Sequence, residues 1–397
     1  MSGQRGEPQT VRITAGGTDR PRQRRVRVLA AVAAVVLLGG AGVTVAAALG
    51  NGNGNGDDVA GAAGESAAAE ELRLGYFGNV THAPALIGVQ EGLIAEALDE
   101  GGRTQLRTEV FKAGPSAIEA LNAGAIDAAY LGPSPAINSF AQSKGEALVV
   151  IAGAASGGAQ LVVQPGLDGA ADLAGTVLAT PQLGGTQDVA LRSYLRDQGL
   201  SFGATSDAEV SINPTENAQT LQLFADDRLD GAWLPEPWAS RLVLEAGAEV
   251  LVDEAELWDG ELTPDPGQFP TTILVVNRDF ADAHPDTVEA LLRGHVEALD
   301  WLEKTPAAER SGAINEALEQ SAGAPLPEDV IERSLEHIEF TADPLAGTYT
   351  KLLQDGVDVG LTQSADLTGL TDLEALNRVL AEKGDRDQVD SSGSGTE

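Results

Sequence analysis

The segments ALNAGAIDAAYLGPSPA (120–136) and LFADDRLDGAWLPEPWA (223–239) read as two copies of one structural phrase. Superposed, they set Asp127-Ala128-Ala129-Tyr130-Leu131 on Asp230-Gly231-Ala232-Trp233-Leu234 at an offset of 103. In each, an acidic residue precedes a short apolar run, which ends in a proline-bearing loop before the next helical stretch. The opening strands around Leu74 and Leu178 stand 104 apart. Two matches at nearly one spacing predict two similarly built lobes.

Outward from these segments, strand and helix signals alternate. Residues 72–76 (LRLGY), 105–111 and 128–131 predict strands, with helices over 83–98 and 115–122. The apolar runs 148–154 and 160–164 are expected as strands separated by a Ser156-Gly157-Gly158 turn. A second cycle has strands at 176–180, 209–213 and 231–234 and helices at 186–198 and 216–224. This alternation implies an α/β fold with mainly parallel sheets. Residues 271–277 (TTILVVN) form a strand expected to cross back into the first lobe. Helices then dominate, over 285–304, 306–321, 327–340, 345–354 and 372–383. Pro285, Pro306 and Pro327 stand at or near three of their starts, where a missing N–H costs little. The first lobe is expected from 72–165 and 270–382 and the second from 166–269, with a hinge and an inter-lobe ligand cleft.

Charge is divided along the chain. Residues 1–50 hold seven Arg against Glu7 and Asp19, a net +5, and the other 347 residues carry −40. An acidic body repels phosphate backbones, so nucleic-acid binding is excluded as the main activity. The absence of Cys excludes disulfides, thiolate metal sites and cysteine nucleophiles. It also excludes the thioether-linked lipid anchor of bacterial lipoproteins. Residues 28–49 run without a charge behind Arg22, Arg24, Arg25 and Arg27, which predicts a transmembrane anchor with a cytoplasmic leader at 1–27. A cleaved signal peptide is the competing reading, with Ala46-Ala47-Ala48 as the small residues. Residues 50–71 read as a flexible linker and 383–397 as a disordered tail.

Three loops leave backbone donors at helix starts: 77–84 (FGNVTHAP), 131–136 (LGPSPA) and 181–188 (PQLGGTQD). Such loops lie outside the carboxyl ends of strands in open α/β sheets, and a helix N-terminus with its free N–H groups holds an oxyanion. None of the three carries Lys or Arg, so no obligate cationic side chain is expected at an anion. The alternative is ordinary turns capped by Thr81, Ser134 and Thr186. His82 either makes a capping or hydrogen-bonding contact or touches ligand. It lacks partners for a metal, because His284, His295 and His337 fall in the helical C-terminal part. Tyr130 and Trp233 are expected in the core, and Trp238 either there or on the cleft. Glu236 either accepts from a cationic ligand group or is a solvated loop acid. Asp226-Asp227 and Asp253-Glu254 are expected on a hydrated surface. No P-loop, G-x-S-x-G elbow or H-E-x-x-H is present, so the chain carries no catalytic signature and no cofactor is expected.

Five stretches carry a resemblance: 75–96 (GYFGNVTHAPALIGVQEGLIAE), 110–140, 151–163, 173–195 (LAGTVLATPQLGGTQDVALRSYL) and 231–243. In these the chain resembles the solute-binding proteins of ABC importers of the nitrate/taurine/aliphatic sulfonate type. The resemblance implies a type II periplasmic-binding-protein fold whose two α/β lobes close on ligand. It implies ligand contacts from Tyr76, Asn79, Thr81 and His82; Gly132, Ser134 and Pro135; Ser156 and Gly157; Gln182, Gly185, Thr186 and Gln187; and Glu236 and Trp238. The implied activity is non-enzymatic capture of a small anionic solute, a sulfonate or taurine-like compound, by a monomer. Implied partners are permease subunits with a cytoplasmic ATPase, and the implied location is the extracytoplasmic face of the membrane or the medium. Alternatives are a thiamine-precursor pyrimidine or another small organic acid as ligand, a lyase or dehydratase using His82 with Glu236, and a ligand sensor. The missing lipidated Cys departs from Gram-positive relatives and puts the weight of anchoring on 28–49.

Overall fold

A computed structural model of the chain describes residues 68–204, 208–384 and 389. The expected leader, anchor and most of the linker, with most of the expected tail, lie outside the described residues. Among the described residues, no helix is long and apolar enough to cross a membrane.

The first lobe opens with β1 (Glu71–Phe77), a 3-10 turn (Val80–His82), α1 (Ala83–Gln90), α2 (Leu93–Gly102) and β2 (Gln105–Phe111). It continues with α3 (Gly114–Asn122), β3 (Ala128–Leu131), α4 (Pro133–Ser143) and β4 (Leu148–Gly157). The second lobe holds β5 (Ala159–Val163), β6 (Val177–Thr180), α5 (Thr186–Asp197), β7 (Phe202–Gly203) and β8 (Val210–Pro214). It also holds α6 (Asn217–Ala225), β9 (Gly231–Pro235), α7 (Trp238–Ala246) and β10 (Glu249–Asp253). β11 (Pro270–Asn277) returns to the first sheet, followed by α8 (Arg278–Ala283), α9 (Pro285–Lys304), α10 (Ala307–Ala322) and α11 (Glu328–Glu336). β12 (Ile338–Phe340), α12 (Tyr349–Asp358) and α13 (Glu374–Lys383) complete the set.

The first sheet runs β12-β4-β11-β3-β1-β2 and the second β10-β5-β9-β6-β8-β7. Each has a parallel part, β2-β1-β3 in one and β7-β8-β6-β9 in the other. The remaining strands pair antiparallel, so the sheets are mixed rather than mainly parallel. The sequence repeat is visible in the ladders. Leu74 pairs with Ala128 as Leu178 pairs with Gly231, and Gly75 with Ala129 as Ala179 with Ala232. The repeated acid has a physical reason. Asp127 Oδ2 accepts the Arg73 N–H at 2.8 Å and Asp230 Oδ2 accepts the Val177 N–H at 2.7 Å. In both lobes a side chain thus satisfies a donor next to the strand pairing.

Three local expectations change. Ser156-Gly157-Gly158 is no turn within one sheet: β4 ends in the first sheet at Gly157, and β5 begins in the second at Ala159. Gly157 and Gly158 have φ of 77° and 73°, and a Cβ on Gly157 would lie 2.4 Å from the His337 carbonyl oxygen. Glycine is therefore required where the chain passes between lobes beside β12. The helix expected over 83–98 breaks at Gly92, whose φ is 75°. The helix expected over 327–340 stops at Glu336, and residues 338–340 join the first sheet as its edge.

Leu72, Leu74 and Tyr76 face one core, with Val288, Leu291 and Leu292 of α9. Phe77 and Leu131 belong to a second core that continues into the other lobe through Leu161, Leu178 and Trp233. Burial of this continuous apolar surface holds the strand ends, and the loops they carry, in place.

Candidate ligand cleft

The carboxyl ends of β1, β2, β3, β6, β8 and β9 converge on one cavity, with an empty volume of about 440 Å³. Its lining includes the first residue of α3 (Gly114), the first two of α5 (Thr186 and Gln187), the first of α6 (Asn217) and Pro135 in the first turn of α4. The positive ends of four helices therefore face one space. The helix starts are not capped by their side chains. Gly132 and Gly185 are the N-caps of α4 and α5, neither makes a side-chain capping bond, and Thr81 lies within the 3-10 turn.

Of the residues singled out from sequence, Asn79, Thr81, His82, Gly132, Pro135, Gln182, Gly185, Thr186 and Gln187 lie together on this lining. Gly132 closely faces the other lobe: a Cβ there would lie 2.3 Å from Thr186 Oγ1. The same hydroxyl accepts the Ser134 N–H at 3.3 Å. Ser134 itself is behind the lining, with a buried Oγ that has no partner among the described residues.

His82 is 2% exposed, its ring 4.3 Å from that of Phe77, and Nδ1 accepts the Phe77 N–H at 3.3 Å. Burial pushes its pKa down to about 3, so the ring is neutral at pH 7. With Nδ1 as acceptor, the proton sits on Nε2 and makes His82 a donor.

The other five lie elsewhere. Tyr76 points away because successive strand side chains alternate: Phe77 lines the cavity and Tyr76 enters the first core. Ser156 Oγ accepts the Phe269 N–H at 3.2 Å, and the Gly157 carbonyl accepts from the Thr271 hydroxyl. Both therefore brace the crossing strands behind Thr271, which does line the cavity. Glu236 is neither solvated nor on the lining. Fully buried, it accepts from Arg333 Nη1 at 3.0 Å, the Ser240 N–H at 3.0 Å and Ser334 Oγ at 3.2 Å. Burial still holds its pKa above the ordinary value, against the pull of these donors. Trp238 is an inter-lobe tie, its indole N–H donating to Asn79 Oδ1 at 3.0 Å while the Arg241 guanidinium covers the ring.

Besides Phe77 and Pro181, which open two of the loops singled out from sequence, the lining holds residues that sequence reasoning missed: Lys112, Ala113, Gly114, Asn217, Pro235 and Thr271. Lys112 corrects the expectation that no cation stands at the cleft, being the one Lys or Arg on the lining among the described residues. Its Nζ lies 2.6 Å from Glu216 Oε1, the N-cap residue of α6 in the other lobe. The two are 104 positions apart, the offset of the repeat, and that spacing was the signal that would have found them. Asn217, the next residue, is 5% exposed, and its Oδ1 has no partner among the described residues. Asp253-Glu254 is a further correction, because Glu254 is buried and accepts the Trp233 indole N–H at 2.8 Å.

The sequence model of the NMT1-like family matches residues 65–315. The chain belongs to the NMT1-like family. Among curated relatives, this family member is similar to the taurine-binding periplasmic protein of Escherichia coli, at 27% identity over 47% of this chain and 54% of that one. The chain spans a little over half the length of the curated relatives it matches. Among solved structures it is similar to the alkanesulfonate-binding protein SsuA of Xanthomonas axonopodis pv. citri bound to MOPS. There the TM-score is 0.62 and the identity 23%, over 77% of this chain and 99% of that one. The nitrate-binding protein NrtA of Synechocystis PCC 6803 gives a TM-score of 0.67 at 17% identity, over 82% and 92%. These likenesses establish the two-lobed periplasmic-binding-protein fold.

Proposed function

We propose that this NMT1-like protein is the extracytoplasmic solute-binding protein of an ABC importer, closing on a small anionic organic solute of the sulfonate or taurine-like class. The observation that carries this reading is the meeting of four helix starts, the Lys112 ammonium and the neutral His82 donor around one inter-lobe cavity. All of these favour negative charge, and the helix starts supply N–H groups without a desolvated counter-charge. The acidic body does not oppose this, because charges beyond about 8–10 Å are largely screened at physiological salt. The ligand contacts in this account are Asn79, Thr81, His82, Gly132, Pro135, Gln182, Gly185, Thr186 and Gln187, joined by Lys112 and Asn217.

The binding proteins named among the relatives and neighbours support the reading. A heterocycle finds less support, since the aromatic side chains on the lining are Phe77 and His82, which pack against each other at a tilt of 32°. An acid–base reaction by His82 and Glu236 is disfavoured by the Arg333 ion pair that holds Glu236 off the lining. The solute would pass to permease subunits served by a cytoplasmic ATPase, with the receptor monomeric and held at the membrane by residues 28–49 or released. A thermal-shift screen against alkyl sulfonates, taurine, nitrate, phthalate-like acids and pyrimidines tests the ligand class. Stabilisation by sulfonates or taurine is expected. Stabilisation by pyrimidines alone would replace the proposal with the heterocycle reading, and no response to any anion would remove it.

A further inference from the structure

A second cavity lies behind α5, bounded by α5, by the 3-10 turn at Glu254–Leu257 and by α12. Its empty volume is about 730 Å³, against about 440 Å³ for the solute cleft. The charged groups on its wall are the carboxyls of Asp197, Glu254 and Asp355 and the ammonium of Lys351. Lys351 is already committed, with Nζ 2.6 Å from Asp355 Oδ2 and 4.8 Å from the centre of the Trp258 ring. Phe269 stacks with Trp258 at 6.1 Å.

Glu254 is different. It is 4% exposed, and only Oε2 is engaged, by the Trp233 indole N–H. No hydrogen bond reaches Oε1 among the described residues. Burial raises its pKa to about 7, only partly offset by the Trp233 bond and by Lys351. A buried carboxyl whose near cation, Lys351, is already paired with Asp355 is costly, and a second cation supplied from outside relieves that cost. A metal ion is a poor candidate, because no group of three His, Cys, Asp or Glu able to hold one occurs among the described residues. The rest of the wall joins an apolar stretch, Val189, Ala190, Leu257 and Leu352, to the polar side chains of Thr186, Ser193, Tyr194 and Gln198.

We propose that this cavity is a second ligand site, taking a small aliphatic ammonium ion whose –NH3+ donates to Glu254 Oε1 while its carbon chain lies against Val189, Leu257 and Leu352. The proposal does not depend on which solute occupies the cleft, although Thr186 lines both cavities.

The Trp233 indole N–H reports on it directly, being bonded to the same carboxyl. In 15N-labelled protein, n-butylammonium chloride should shift the Trp233 indole resonance saturably. Potassium chloride and sodium butyrate at matched ionic strength should not. Glu254→Gln keeps an acceptor for the indole but removes the charge, and should weaken the response at least tenfold. If that variant fails to fold, Leu257→Trp fills the cavity from an exposed wall position with Glu254 intact, and should abolish the shift. A response absent in wild type, matched by butyrate, or unchanged in a folded variant overturns the proposal.

Discussion

Lys112 Nζ and Glu216 Oε1 lie 2.6 Å apart across the mouth of the cleft, joining equivalent positions of the two lobes. Both side chains are well exposed, at 74% and 45%, so the pair adds little to folding stability. Its importance is that it sets the one lining cation opposite an acid that an entering anion can displace. Lys112→Ala should leave the thermal midpoint nearly unchanged and weaken anion binding by about 10–100-fold, the range for a hydrogen bond to a charged group. Glu216→Gln should bind as tightly as wild type or more tightly. Calorimetric titration of the two variants checks both, and parallel losses would show that the pair acts only as a structural tie.

Gly132 faces Thr186 with no room for a methyl group. Gly132→Ala should disfavour closure by about 1–3 kcal/mol through overpacking while leaving each lobe folded. Adding Thr186→Ala should restore closure to the level of Thr186→Ala alone, read as small-angle scattering dimensions at saturating ligand. Failure of that rescue would mean that the contact does not limit closure.

The bond from the Trp238 indole to Asn79 holds the lobes from the opposite side chain set. Trp238→Phe leaves the buried Asn79 acceptor without its donor, at a cost of about 1–3 kcal/mol to the closed arrangement. The variant should expand in scattering and release ligand faster than wild type. Unchanged dimensions and release would assign Trp238 to packing alone.

His82 and Glu254 give opposite pH dependences. The folded His82 pKa of about 3 lies below its ordinary 6.5, so the unfolded chain binds more protons between those values and stability falls as pH drops through that window. The folded Glu254 pKa of about 7 lies above its ordinary 4.5, so the folded chain binds more protons there and stability falls as pH rises from 4.5 to 7. Each slope is about 1.4 kcal/mol per pH unit, and between 4.5 and 6.5 they oppose each other. Compared with wild type in urea unfolding, His82→Gln should therefore lose stability more steeply as pH rises from 4.5 to 6.5. Glu254→Gln should gain it more steeply. Identical slopes in the three proteins would contradict the buried, shifted state of both groups.

The lobes were legible because their ladder strands repeat, Asp127 and Asp230 included. Strand-to-helix loops were legible at 77–84, 131–136 and 181–188 because glycine and proline mark them. Less legible were the β2–α3 and β8–α6 junctions, where Lys112 and Asn217 look like ordinary strand-end and helix-start residues. Glu236 was misjudged because its partner Arg333 is 97 positions away, on a helix whose docking no local pattern encodes. The Gly157-Gly158 pair was taken for a turn because positive φ serves a turn and a lobe crossing equally well. Tyr76 differs from Phe77 only in strand parity, which shifts with the register of β1.

The most direct test of anion capture in the cleft is a calorimetric titration of the wild-type protein with alkyl sulfonates, taurine and nitrate, repeated on Lys112→Ala and Gly132→Ala. Saturable one-to-one binding of at least one of these anions, weakened tenfold or more in both variants, is the predicted result. No binding of any of them, or binding that both folded variants retain at wild-type strength, would contradict it.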